Sequence, residues 1–286
     1  MIRYPVTRAA LTAAVDRHAP TWSRRAKRRQ TLITKAGAYG EKKSIWSEIK
    51  PALTDFQKNK CGYCERKLEA PEYGAIEWDI EHFRPKSAVA PLPDPLQYPH
   101  IALNGPGGGG GSGYYWLAYD VENYLGACKI CNTIMKGTLF PVAGTRCVAP
   151  GTPAQLAGER AYLCHPLNPS DADPQDLITF DGVLAIPAHA SGFDRARADL
   201  IISLFRLNDR EELVNERARQ IVLFGGYFEK HHRGDRSPRI AEILNFADNP
   251  GIPHASCVRA HARMWADDPG RAREIWALCE KMTFSL

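Results

Sequence analysis

The sequence predicts an α+β fold that is mostly helical, and three observations carry that expectation. Stretches before residue 60 and after residue 192 repeat apolar side chains at helical spacing. Between them, residues 61–141 break into short strand-like pieces bounded by two Cys-x-x-Cys pairs, Cys61/Cys64 and Cys128/Cys131. Further on, Asp181-Gly182 lies between Leu177-Ile178-Thr179-Phe180 and Val183-Leu184-Ala185-Ile186, a type I′ hairpin signal. Three segments follow: a basic helical N-terminal segment (1–60), a core (61–141) with a Gly/Pro-rich loop at 87–113, and a C-terminal region (142–286) of hairpin and helices.

The chain of 286 residues can bury a real core as one or two domains, and 44% apolar with 24% charged residues excludes a wholly disordered chain or a collagen-like repeat. No apolar run approaches the roughly 18 residues of a membrane span. The N-terminus also lacks an apolar core with a small-residue cleavage site, so the expectation is a cytoplasmic protein with no membrane association.

Helices are expected near Thr7 to Arg17 and from Thr21 to Lys35. A third begins at Ser44, with Ile45, Trp46 and Ile49 on one face, breaks at Pro51 and restarts with Ala52, Leu53 and Phe56 buried. The loop from Ser87 to Gly113 holds five prolines and the run Gly107 to Gly111, so mobility is expected there. After Gly192, the residues Phe193, Ala196, Leu200, Leu204 and Leu207 recur at helical spacing. Asp209 with Glu212 reads as a capping box, and Asp268-Pro269 starts the last helix.

The net charge of +5 is unevenly spread. Residues 1–60 carry 14 Lys and Arg against 4 Asp and Glu, a balance of +10, and the remaining 23 against 28 give −5. Its densest part, Arg24, Arg25, Lys27, Arg28 and Arg29, suits a phosphate backbone, or else is a solvated helix face.

Each Cys-x-x-Cys pair can present two thiolates to one tetrahedral zinc ion. A closed four-sulfur shell leaves no position for water, so the zinc would be structural. Buried free thiols and a redox pair are the alternatives. The other four cysteines, Cys147, Cys164, Cys257 and Cys279, have no paired spacing and read as packing.

Between the pairs lies Trp78-Asp79-Ile80-Glu81-His82-Phe83-Arg84-Pro85-Lys86. A neutral imidazole takes a proton from water near pH 7, and a carboxylate beside it binds a hard divalent cation. Strand neighbours face opposite ways, so Glu81 and His82 serve one site only if the strand ends or bends there, as Pro85 allows. Asn123 lies five residues before Cys128 and Asn132 directly after Cys131, so the zinc would bring both to His82.

Across residues 61–137 the pattern Cys-x-x-Cys, acidic-His, Asn-x-Leu, Cys-x-x-Cys-Asn, Lys-Gly resembles the HNH endonucleases, whose fold is two strands and a helix around a metal ion. Cys61-Gly62-Tyr63-Cys64-Glu65, Glu81-His82-Phe83-Arg84-Pro85-Lys86, Trp116-Leu117-Ala118-Tyr119 and Phe140-Pro141 are similar to the HNH subunit of Septu anti-phage systems and of related retron-linked defence systems. The resemblance implies a ββα-metal core in which His82 is the general base and Asn123 orients it. Asn132 and Glu81 would hold Mg²⁺ or Mn²⁺ against the scissile phosphate. Where the common pattern has Asp before the His, this chain has the longer Glu81. Arg84, Lys86 and Lys136 are either contacts to flanking phosphates or solvated charges.

The resulting expectation is a metal-dependent endonuclease acting on DNA. The resemblance adds a partner ATPase with an ABC-type nucleotide-binding domain. The alternative is a non-catalytic zinc-ribbon module that docks nucleic acid or protein, which would not require His82, Asn123 and Asn132 together.

Overall fold

The Thr7 hydroxyl accepts from the Ala10 amide at 3.2 Å and caps α1 (Arg8–His18). The second helix, α2 (Trp22–Ala36), runs unbroken to Gly37, which closes it with φ of +70°. A 3₁₀ turn (Trp46–Ile49) then leads into α3 (Lys50–Gln57). Pro51 sits in the first turn of α3, where its missing amide costs nothing, so the proline opens this helix. Ala52 and Leu53 are fully buried and Phe56 is half-buried. This computed structural model describes residues 1–69, 76–92, 101 and 110–284.

Strands β1 (Trp78–His82) and β2 (Tyr124–Cys128) pair antiparallel, Trp78 opposite Cys128 and His82 opposite Tyr124. A seven-residue helical segment of π type, α4 (Ile130–Lys136), follows directly. The two strands and α4 carry Glu81, His82 and the second cysteine pair, α3 packs over the strands, and α1 packs against α3. Gln57 at the end of α3 acts as a short strand mimic. Its amide donates to the Gly126 carbonyl at 2.8 Å, and its carbonyl accepts from the Gly126 amide at 2.7 Å. A Cβ on Gly126 would lie 2.7 Å from the Trp78 ring, so this docking requires glycine.

Most of the loop expected to be mobile, residues 93–100 and 102–109, lies outside the described residues. Its two described ends are tied back. Gly110 donates to the Val89 carbonyl at 3.0 Å, and Tyr114 to that of Pro85 at 2.8 Å.

The C-terminal region begins with two short helices that the sequence does not signal, α5 (Pro153–Gly158) and α6 (Pro174–Leu177). The hairpin is present as β3 (Ile178–Asp181) and β4 (Leu184–Pro187), but Asp181 pairs with Leu184. The turn is therefore Gly182-Val183, one residue later than expected, with positive φ at Gly182 and not at Asp181 or Val183. Asn208 clamps the hairpin by accepting from the Ala185 amide at 2.8 Å and donating to its carbonyl at 2.9 Å. Five longer helices follow: α7 (Gly192–Leu204), α8 (Glu211–His232), α9 (Pro238–Ala247), α10 (Ala255–Asp267) and α11 (Pro269–Phe284). Asp268 caps α11, accepting from the Arg271 amide at 3.0 Å. The Asp209/Glu212 capping box does not form, because the N-cap of α8 is Arg210 and Asp209 pairs with Arg206.

Residues of all three sequence segments, among them Leu53, Tyr124 and Phe205, share one hydrophobic cluster. No helix among the described residues is long and apolar enough to cross a membrane.

At the seam between the first Cys-x-x-Cys turn and α10 lies the buried carboxylate of Glu65. It meets the Met1 ammonium at 2.7 Å and Lys60 at 3.4 Å, and the Ser256 hydroxyl donates to it. Burial alone would raise the Glu65 pKa, but the two cations outweigh it and hold the carboxyl well below its ordinary 4.5. A depressed folded-state pKa stabilises the fold at pH above the unfolded value and is lost as pH falls below it. Stability is therefore expected to decline steeply below about pH 4.5 in thermal melts, and Glu65→Gln should flatten that decline. The same change strands Lys60 and should cost about 3–5 kcal/mol at pH 7 in urea unfolding. A variant as stable as the parent at both pH values would contradict this account.

Candidate active site and metal centre

Two Cys-x-x-Cys segments approach each other because one is a tight turn hung from β2 and the other is the β2–α4 junction. The Gly62 amide donates to the Gly126 carbonyl at 3.0 Å, and the turn closes with the Glu65 amide donating to the Cys61 carbonyl at 3.0 Å. A Cβ on Gly62 would fall 2.5 Å from the Leu125 side chain, so the approach also needs glycine. The sulfurs of Cys61, Cys64, Cys128 and Cys131 consequently all lie within 4.8 Å of one another, and all four residues are buried. A tetrahedral Zn–S bond of about 2.3 Å implies sulfur–sulfur edges of about 3.8 Å, and the Cys64 and Cys128 sulfurs are 4.0 Å apart. The set can thus hold one metal ion such as zinc. Amide donors already point at its sulfurs, Cys128 to Cys61 at 3.3 Å and Cys131 to Cys128 at 3.4 Å.

Beside the cluster, β1, α4 and the N-terminal 3₁₀ turn enclose a cleft of about 310 Å³. Its lining includes Trp46, Lys50, Asp79, Glu81, His82, Lys86 and Asn132. His82 ends β1 and lines the cleft together with Glu81, although the two alternate along the strand. The imidazole sits edge-on to Trp46 at 4.8 Å and to Tyr124 at 5.0 Å. Its Nε2 lies 3.0 Å from the Ala118 carbonyl, which only accepts. Nε2 therefore carries the proton, and Nδ1 keeps its lone pair. Burial, reinforced by Lys86, pushes the His82 pKa well below 6.5, so the ring is neutral at pH 7.

The two strand-face carboxylates fare differently. Glu81 is buried in an ion pair with Lys136, and burial raises its pKa despite that partner. Lys136 is itself fully buried and also donates to the His82 carbonyl at 3.2 Å, so it contacts no solvent-borne phosphate. The carboxylate that faces Asn132 is Asp79, which accepts from the Asn132 amide at 3.0 Å and from Thr133 at 3.3 Å. Asp79 is a site residue that the motif does not mark, yet the two-residue period of a strand puts it on the face of Glu81.

Asn123 is placed against the backbone and not against the imidazole. It accepts from the Arg84 amide at 2.8 Å and donates to the Arg84 and Leu117 carbonyls at 2.9 and 3.2 Å. It fixes the turn that leaves His82, and none of these hydrogen bonds goes to the ring. Arg84 is committed inward, to Glu159 at 3.1 Å and the Leu156 carbonyl at 3.0 Å. Lys86 remains in the cleft, held over the faces of Trp46 at 4.8 Å and Tyr39 at 5.3 Å. On α2, Arg25 pairs with Glu48 and Arg29 with Glu41, whereas Arg24, Lys27 and Arg28 are exposed.

Geometry thus defines a class of protein: a mostly helical α+β fold with four clustered cysteines able to hold a metal ion, beside a cleft lined by a neutral histidine. The chain is similar to the Septu protein PtuB of Bacillus mycoides (strain KBAB4), 32% identical over 175 residues. The match covers 60% of this chain and 50% of that protein, so this chain spans about half the length of its relative. No family model and no solved structure matches.

The Glu81–Lys136 pair can be tested alone. Lys136→Met leaves a buried carboxylate without its cation and should cost about 3–5 kcal/mol in urea unfolding. Adding Glu81→Gln should recover most of that loss, giving a coupling of at least about 1 kcal/mol in the double-mutant cycle. Strict additivity would show that the two charges do not depend on each other.

Proposed function

We propose that this chain is a metal-dependent endonuclease of the HNH type that hydrolyses DNA as the effector of an anti-phage defence system. The observation that carries the reading is the cleft: a neutral histidine whose Nδ1 keeps its lone pair lines it together with Asp79, Asn132 and Lys86. Similarity to a Septu protein supports the defence assignment. A partner ATPase with an ABC-type nucleotide-binding domain belongs to the same proposal, on the sequence resemblance.

In this reading His82 accepts the proton of the attacking water at Nδ1 while the Ala118 carbonyl keeps the ring in its tautomer. Asn132 and Asp79 offer the hard oxygen donors that suit Mg²⁺ or Mn²⁺, with Glu81 held back by Lys136. A divalent ion held by these residues would supply charge stabilisation to the phosphate as the sugar oxygen leaves. Lys86, oriented by its two aromatic neighbours, holds a flanking phosphate. The four cysteines hold structural Zn²⁺ and take no part in the chemistry.

The test is cleavage of plasmid DNA by purified protein, alone and with the partner ATPase. His82→Ala should lower the rate by about 10² to 10⁴ fold with the fold intact. EDTA at a concentration that spares the cysteine-bound metal should abolish activity, and excess Mg²⁺ should restore it. Retained DNA binding without cleavage under every condition would favour the zinc-ribbon docking module instead.

The exposed residues of α2 are the proposed contact for DNA outside the cleft. Replacing Arg24 and Arg28 with Gln should weaken binding to all sequences alike and flatten the slope of log affinity against log salt by about 0.9 for each phosphate no longer neutralised. An unchanged slope with lost co-purification of the partner ATPase would assign this face to protein docking.

A further inference from the structure

Beyond the cysteines themselves, the metal centre has a contributor 79 residues from Cys131. The Arg210 guanidinium donates through Nη1 to the Cys131 sulfur at 3.4 Å. Its Nη2 is buried and makes no hydrogen bond, and no carboxylate among the described residues pairs with it. A half-buried arginine turned away from every acid is costly unless another negative charge answers it.

The cluster is that charge. Four thiolates around one Zn²⁺ leave a net charge of −2, buried among apolar side chains. Amide donors from Cys128 and Cys131 soften the sulfurs but bring no formal charge. Neutral thiols would accept from it only weakly and would leave the guanidinium unanswered.

We infer that Arg210 is the charge partner of the thiolate cluster: it offsets the buried negative charge and retains the metal. The inference rests on the zinc reading of the four cysteines. It assigns a role to the N-cap of α8, where the expected Asp209/Glu212 box is absent. The guanidinium, which stands where a capping side chain would, serves the metal centre and not the helix end. Tyr63, inside the first Cys-x-x-Cys turn, stacks on Phe205 at 4.2 Å, and Arg66 just after it pairs with Glu212 at 3.0 Å. The region around Arg210 is therefore held against the cluster from both sides.

The experiment measures metal retention in the full-length protein, independently of any cleavage. Zinc per chain is counted first, and its transfer to an excess of a chromogenic chelator is then timed at neutral pH. The unmodified protein should hold about one zinc and release it slowly. Arg210→Gln should release it about 10- to 100-fold faster, the range typical for loss of a group that supports a metal ligand. Arg210→Lys, which keeps the charge but loses the fork, should fall between the two. Arg206→Gln, an exposed neighbour paired only with Asp209, should behave as the parent. Parent-like release from Arg210→Gln in a protein that holds its zinc would overturn the inference and leave the zinc reading standing. Absence of zinc from the unmodified protein would overturn both. Should Arg210→Gln fail to fold, Arg210→Lys decides: severalfold faster release supports the role, and the parent rate refutes it.

Discussion

Four sulfur atoms gathered within 4.8 Å of one another are the junction on which the rest of the molecule is arranged. Two come from the turn after α3 and two from the end of β2 and the start of α4, with 63 residues between the pairs. Closing so long a loop has an entropic cost that a bound metal can offset, since structural zinc contributes on the order of 10–16 kcal/mol in small domains. That figure is comparable to the entire stability of an ordinary domain. Around the junction, Gln57 docks α3 on β2, the Tyr63–Phe205 stack docks α7, and Arg210 brings α8. Each of the three sequence segments therefore reaches the cluster.

From that junction the cleft inherits its electrostatics. Asp79 and Glu81 occupy the same face of one strand, two residues apart, yet a change in depth separates their chemistry. Glu81 is sealed in with Lys136, whose charge opposes the upward pull of burial on its pKa without overcoming it. Asp79 stays nearer the surface, among Asn132, Thr133 and Lys129 at 3.0, 3.3 and 3.5 Å. A carboxylate already neutralised by a buried cation is a poor ligand for a second one, whereas one that shares its oxygens with an amide and a hydroxyl can exchange them. The residue type next to the histidine therefore matters less than the depth to which the strand carries it.

Much of this is legible in the sequence because it depends on local spacing. Paired cysteines, helical periodicity and the Asp268-Pro269 start need only neighbours a few residues apart. Sequence and structure part where a tertiary contact decides. Asp181-Gly182 reads as a turn pair, but only Gly182 takes positive φ, and the register clamped by Asn208 moves the turn on by one residue. Lys136 reads as a candidate surface charge because nothing near it in sequence reveals a buried carboxylate 55 positions earlier. Arg210 carries no signal at all, since its partners are sulfurs in a distant segment. Asp79 is within reach of sequence reasoning, because strand period alone puts it on the face of Glu81.

The N-terminal segment shows how free and engaged charges can share an element. Half of the dense arginines on α2 are engaged in ion pairs at the surface: Arg25 pairs with Glu48, while Arg29 bonds Glu41 and the Lys43 carbonyl. Between the two faces, Gln30 donates to the Tyr115 carbonyl at 3.1 Å and accepts from the Tyr119 amide at 2.8 Å. Those two bonds bracket Ala118, whose carbonyl selects the tautomer of His82 and also accepts from the Tyr124 hydroxyl at 2.6 Å. A shift of α2 would thus move the 115–119 turn, and with it the group that fixes which imidazole nitrogen keeps a lone pair. The helix whose outer face exposes Arg24, Lys27 and Arg28 is in this way two hydrogen bonds from the candidate base, through a glutamine that no motif marks.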